Sequence, residues 1–141
     1  MAPADTHGAI PAAAQTVTLS LDYGLNANGR KAPAPGTVTS PAKVREVAGL
    51  VAGQPPAPPG PTSCPADDGA ALKIVFRSGP GGPALATAVL ELSGCEFTDL
   101  TVSGKSYGLG TYASGRSMAA RVLHAAGVTW KIPPMHWPAA T

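Results

Sequence analysis

Ala71-Leu72-Lys73-Ile74-Val75-Phe76-Arg77, the turn Ser78-Gly79-Pro80-Gly81-Gly82-Pro83, and Ala84-Leu85-Ala86-Thr87-Ala88-Val89-Leu90-Glu91-Leu92 form the stretch that decides the fold. In the first arm Leu72, Ile74 and Phe76 alternate with Lys73, Val75 and Arg77. That is the two-residue period of a strand with one buried face. The Gly/Pro turn cannot continue a regular element. The second arm returns with Leu85, Val89 and Leu90 as its larger apolar residues. The stretch is predicted to be a β-hairpin, and with helices on either side of it in sequence the fold class is α+β around a small antiparallel sheet.

Cys64 and Cys95 flank this hairpin and are the chain's two cysteines. They have no CxxC spacing and too few soft ligands near them for a zinc site, so a disulfide is the simpler reading. In a hairpin turning near Gly81 they fall within a residue or so of opposition at its open end, near the Cα separation a disulfide needs. Closing a loop of about 32 residues stabilises the fold by about 3.5 to 4 kcal/mol on the chain-entropy model.

Working outward toward the N-terminus, residues 54–63 hold Pro55, Pro56, Pro58, Pro59 and Pro61, an extended polyproline connector. Before it lies the clearest helix. Ser40 is a good N-cap, Pro41 stands at the first helical position where its missing N–H costs nothing, and Val44, Val47, Ala48 and Val51 fall at helical spacing before Gly53. Residues 22–39 read as loop or a ragged hairpin. In 16–21, Val17, Leu19 and Leu21 alternate with hydroxyl residues as a half-buried strand. Residues 1–15 carry no periodicity and are expected to be a mobile segment.

Toward the C-terminus, 99–103 reads as a short strand followed by a Gly-rich loop. Residues 117–126 place Met118, Ala119, Val122 and Ala126 on one helical face, with Gly127 as the stop. Residues 128–132 are predicted to return as a last strand before Pro133-Pro134, and 133–141 form a tail. The expected order is β, α, β, β, β, α, β, in a single domain over 16–132.

The block 41–102 carries Val44-Arg45-Glu46-Val47-Ala48-Gly49-Leu50-Val51, Pro55-Pro56-Ala57-Pro58-Pro59-Gly60, Ser63-Cys64-Pro65-Ala66-Asp67-Asp68-Gly69, Phe76-Arg77 and Ser93-Gly94-Cys95. It resembles small exported proteins of high-GC actinobacteria whose function is unassigned. The resemblance covers a little under half of the chain and includes both cysteines. It implies export, and it brings no activity, cofactor or catalytic residue with it.

Composition narrows the function classes. Gly 17 and Pro 16 stand against 44% hydrophobic residues and a net charge of +2 in 141 residues, which suits one small core with long irregular segments and not a multidomain enzyme. Ten Lys and Arg against eight acids form no basic stripe, so no nucleic-acid partner is expected. No apolar run approaches the roughly 18 to 20 residues of a membrane span. The first basic residue is Arg30, and Ala12-Ala13-Ala14 is too short for an apolar signal core. The polar, small-residue opening Ala2-Pro3-Ala4-Asp5-Thr6 is what is expected just after a signal cleavage site, so the chain is read as exported with its signal or lipid anchor absent. No Asn-x-Ser/Thr sequon occurs.

The chemistry-bearing patterns are weak. Gly110-Thr111-Tyr112-Ala113-Ser114-Gly115-Arg116-Ser117 has the spacing of a phosphate-binding loop opening a helix, which makes Gly110, Gly115, Arg116 and Ser117 an anion-loop candidate. Arg116 replaces the motif's Lys, and the parallel βαβ alternation and the Mg-binding Asp are missing, so nucleotide binding is not expected. His7, His124 and His136 show no ligand spacing. Ser106, Ser114 and Ser117 lie outside any nucleophile elbow. Asp67-Asp68-Gly69 could suggest calcium, but the EF-hand pattern is absent and the run reads as a turn instead. The PxxP spacings make Pro55, Pro56, Pro58, Pro59 and Pro61 candidate partner contacts, against the plainer role of a stiff spacer.

The expectation is therefore an exported, non-catalytic binding or cell-envelope interaction module without cofactor or metal, contacting a protein or envelope partner. A protease inhibitor is one concrete version, since a proline-flanked loop near a disulfide resists cleavage. Two alternatives remain: a small enzyme using the 108–117 loop with Arg116 as anion clamp, and a self-assembling structural protein.

Overall fold

The computed structural model describes residues 10–26, 30–59, 64 and 67–132. Six strands, β1 (Thr16–Asp22), β2 (Gly36–Val38), β3 (Ala71–Arg77), β4 (Ala84–Glu91), β5 (Thr98–Val102) and β6 (Lys105–Leu109), form one antiparallel sheet in the order β2-β1-β3-β4-β5-β6. Two helices, α1 (Pro41–Ala52) and α2 (Gly115–Ala126), complete an α+β fold. A single 3-10 turn, Gly24–Asn26, follows β1.

The central hairpin forms as its alternation dictates. Leu72, Ile74 and Phe76 pair with Leu90, Ala88 and Ala86, and all six are buried. The same face collects Val17, Leu19 and Leu21 from β1 and Leu100 and Val102 from β5. Both helices close this one face, α1 through Val44, Val47 and Val51 and α2 through Ala119, Val122 and Leu123. Ser40 caps α1 by accepting from Lys43 N, Pro41 stands at its first position, and Gly53 ends it. Met118, expected inward on α2, is only partly buried.

Two segments depart from the sequence reading, and a third resolves an alternative. Within 22–39, read as loop or a ragged hairpin, Gly36–Val38 pairs antiparallel with β1, which is the ragged hairpin with a strand too short to show a period. The Gly-rich segment after β5 contains β6. Ser103 and Gly104 both have positive φ (52° and 79°), the backbone of the two-residue turn that matches strand twist, so these residues join two strands instead of ending one. Residues 128–132 are not a strand. Gly127 adopts the left-handed conformation, and Val128 N donates to Leu123 O at 2.9 Å as part of the helix's termination. Trp130 then folds over Gly36 of β2. The alternation of Val128, Trp130 and Ile132 comes from packing against the core, without strand pairing.

Cys64 and Cys95 are bonded, with Cα atoms 5.0 Å apart. Cys64 is exposed and Cys95 buried. Ile10 and Ala14 pack against the core, and Gln15 N extends the β1–β3 pairing by donating to Arg77 O. The expected tail 133–141, and residues 1–9 of the expected N-terminal segment, lie outside the described residues.

Candidate functional site

The candidate anion loop lies where the end of α1 meets the start of α2. A cleft of about 330 Å³ opens there between Gly53, Gln54 and Pro55 on one side and Gly110, Ser114 and Ser117 on the other. Its floor is a buried polar contact: Gln54 Nε2 donates to Val51 O (3.1 Å) and meets Thr98 Oγ1 (3.0 Å). Gly110 has φ 105°, and a Cβ there would press on Gln54 Oε1 and Ser114 Oγ, so glycine is required by both backbone and space.

The loop's polar groups are already committed. Ser114 Oγ donates to Thr111 O (2.7 Å) and accepts from Thr111 N (3.1 Å), and Ser117 Oγ donates to Ser114 O (3.1 Å). Arg116 N donates to Glu96 Oε1 at 3.0 Å. A carboxylate of the chain itself therefore sits on the positive end of α2, where a helix start favours negative charge. Any outside anion has to displace it. Gly115 is buried, and a Cβ on it would land on the Glu91 carbonyl oxygen, so this glycine lets α2 dock on the end of β4. Glu96 carries no sequence signal: it stands at φ 61° in an irregular turn twenty residues from its partner.

The proline connector does not stand free. Ala57 N donates to Gly108 O (2.9 Å), Gly110 N donates to Pro55 O (2.7 Å), and Pro56 bridges Leu109. Its first residues thus cover the edge of β6, which would otherwise offer unpaired N–H and C=O groups. Pro55, Pro56, Pro58 and Pro59 remain exposed, and Pro61 lies outside the described residues.

Asp67 and Asp68 each accept from the backbone two residues on, Gly69 N (2.8 Å) and Ala70 N (2.9 Å), and both accept from Ser93 Oγ (2.9 and 2.8 Å). This is turn chemistry. Among the described residues no group of three or more His, Cys, Asp or Glu is placed to hold a metal ion. Nearby, Glu91 has its carboxyl held above the ordinary range, chiefly by burial; the Phe97 amide opposes the shift, and Asp67 and Asp99 add to it. His124 is exposed, in a shallow cleft shared with Glu46, Leu50 and Arg121 and, among the described residues, lined by no serine. His7 and His136 lie outside the described residues.

The feature that sequence reading passed over is the other face of the sheet. Register places Thr37, Thr18, Val75, Thr87, Thr101 and Ser106 side by side across all six strands, with Ser20, Lys73, Val89 and Asp99 in the next row. All ten are half-buried or exposed, whereas the helix-side face is buried. Thr101 and Ser106 share a hydroxyl contact at 3.3 Å. The signal was present as hydroxyl and β-branched residues at outward positions of five strands, Thr18 and Ser20, Val75, Thr87 and Val89, Thr101, and Ser106. It becomes a surface only once the strand order is known.

No helix of the described residues is long and apolar enough to cross a membrane, and the disulfide fits an oxidising compartment. No protein-family model matches the chain, and no similar curated protein or solved structure was found.

Proposed function

We propose that the protein is an exported, disulfide-stapled binding module that works without chemistry of its own and presents the open face of its sheet to a protein or envelope partner. The carrying observation is the contrast between the two faces. One is closed by α1 and α2, and the other offers hydroxyls and two valines with only Lys73 and Asp99 as charges in its two central rows. Six strands about 4.8 Å apart give a face about 24 Å wide. That is a surface of mixed polarity, suited to a partner that comes and goes more than to an obligate interface. The hydroxyls of Ser114 and Ser117 bonded to backbone and the exposed His124 support binding over catalysis. The disulfide and the resemblance of 41–102 support export.

The test is a photo-crosslinking amino acid placed at Thr87 on the open face or at Ala120 on the exposed side of α2, in the exported full chain. The reading expects one discrete adduct from position 87, little from 120, and loss of the adduct in Val75→Lys with thermal stability retained. Equal adducts from both positions, or none from 87, overturn it. An adduct at twice the chain's own mass points to self-assembly instead.

A protease inhibitor is the version favoured by one observation. In the β3–β4 turn, Gly82 N donates to Gly79 O (2.9 Å) and Arg77 Nη1 donates to Gly82 O (3.0 Å), so exposed Pro80 and Gly81 are held by a tied loop. Stoichiometric inhibition of a secreted serine protease, lost on Pro80→Gly with Gly81→Asp, would identify that version.

A further inference from the structure

At the opposite end of the helix pair, the start of α1 opens onto a second cleft of about 470 Å³. We infer that this cleft binds a carboxylate carried on a small apolar group, the chemistry shared by short-chain acids and peptide C-termini. The cleft lies outside the Thr18–Val75–Thr87–Thr101 row, and the inference does not rest on that row being the partner surface.

Three observations converge. Thr16 lines the cleft and is 2% exposed, and its Oγ1 is the buried side-chain polar atom without a hydrogen-bond partner among the described residues. A hydroxyl buried this way forfeits its hydration, and folded proteins keep such a group where something else completes the bond. Second, the charge of the lining is one-sided. Arg45 lines the cleft, among the described residues no Asp or Glu does, and the first turn of α1 contains no acid. The other cation of that turn points away: Lys43 Nζ lies next to Gly127, at the negative end of α2. Arg45 is thus left beside the positive end of α1, and its planar fork matches a carboxylate through two parallel hydrogen bonds. Third, the remaining walls include Ala12, Ala14, Pro41 and Pro80, which are small and stiff. They suit a methyl or short aliphatic group, while Gln15 and Thr39 supply further neutral polar groups at the lining. Thr16 Oγ1 can donate to the second carboxylate oxygen or accept from a peptide N–H.

The experiment is an amide-resonance titration of the full chain with acetyl-Ala-Ala bearing a free carboxylate, the same peptide as its C-terminal amide, and propionate. The expected result is saturable shifts at Thr16 and Arg45 with the free acid and at least about tenfold weaker binding of the amide. Arg45→Gln is expected to weaken binding about tenfold or more. Thr16→Val is expected to weaken it severalfold while melting at the same or a higher temperature, a pairing that a merely structural hydroxyl would not give. Propionate binding as well as the peptide identifies a free short-chain acid as the source, and a peptide preference of tenfold or more identifies a chain terminus; both uphold the site. Absence of saturation by either acid at about 10 mM, equal binding of acid and amide, or indifference to Arg45→Gln overturns it.

Discussion

The starts of the two helices read one way in sequence and behave the other way in the fold. α2 begins in a glycine-rich loop with phosphate-site spacing, yet its positive end is taken by Glu96 and its first glycine is pressed against the Glu91 carbonyl. α1 begins with an ordinary Ser-Pro cap, yet it opens onto a cleft lined by Arg45 and, among the described residues, by no acid. A helix start is a site for an outside anion only if the chain has not already supplied one. Whether it has depends on residues far away in sequence, and no local motif records it.

The largest effect expected at the α2 end comes from the disulfide. Cys95 sits in the turn that carries Glu96, and Cys95 O accepts from Ala113 N at 3.1 Å, so the bridge steadies both halves of the cap. The Cys64→Ala, Cys95→Ala double variant is expected to lose about 3.5 to 4 kcal/mol in denaturant unfolding. Hydrogen exchange should quicken around 93–97 and 111–117 while 39–45 stays protected. Uniform acceleration along the chain would break the distinction between the two ends.

Next in size is a pair of glycine substitutions, one per helix. Gly115→Ala drives a methyl into the Glu91 carbonyl and Glu96, and is expected to cost about 2 to 3 kcal/mol. Gly49→Ala, in the exposed middle of α1 with nothing within 4 Å of the new methyl, is expected to gain about 0.5 to 1 kcal/mol. The two melting temperatures should therefore move in opposite directions.

A smaller change tests the internal anion directly. Glu96→Ala removes the carboxylate from the α2 start and is expected to cost about 1 kcal/mol, the scale of a lost charged cap. It should also convert α2 into an open start, so that phosphate raises the variant's melting temperature more than the parent's. Equal response to phosphate would mean that Glu96 does not hold that place. The parent protein is expected to show no Mg-dependent ATP binding in calorimetry, and Arg116→Ala to change nothing.

Much of the fold is written in local patterns. The alternation over Ala71–Arg77, the cap pair Ser40 and Pro41, and the stops at Gly53 and Gly127 each state a local preference that tertiary structure reinforces. Errors arose where a local signal had two readings. Ser103-Gly104 is equally a loop or a tight turn, and the alternation of Val128, Trp130 and Ile132 equally strand pairing or packing beneath a helix end. The candidate sites were far less legible. Glu96 on α2, Thr16 beside Arg45, and the Thr18–Val75–Thr87–Thr101 row are juxtapositions across strands and turns, created by strand order and register. The phosphate-like spacing at 110–117 reflects the needs of Gly110 and Gly115 for close packing, which select glycine for steric reasons.

The smallest predicted effect concerns the second acid beside the α2 start. Glu91 Oε1 accepts from Phe97 N at 3.3 Å, but burial, together with Asp67 and Asp99, pushes its carboxyl above the ordinary value. A carboxyl raised in the folded state keeps its proton to higher pH than in the unfolded chain. Its contribution is therefore fully present below the ordinary carboxylate pKa and is lost as pH rises through the folded value. Glu91→Gln keeps an acceptor for Phe97 N and cannot ionise. It is expected to match the parent near about pH 3.5 and to melt about 1 to 3 °C higher at neutral pH, a modest gain because the side chain is only partly buried. Among the described residues the α1 cleft contains no acid in its lining, so Arg45→Gln should show no comparable pH-dependent gain between the same limits. A Glu91→Gln advantage equal at both pH values would assign the effect to packing and remove the acid-rich character of the α2 end as the cause.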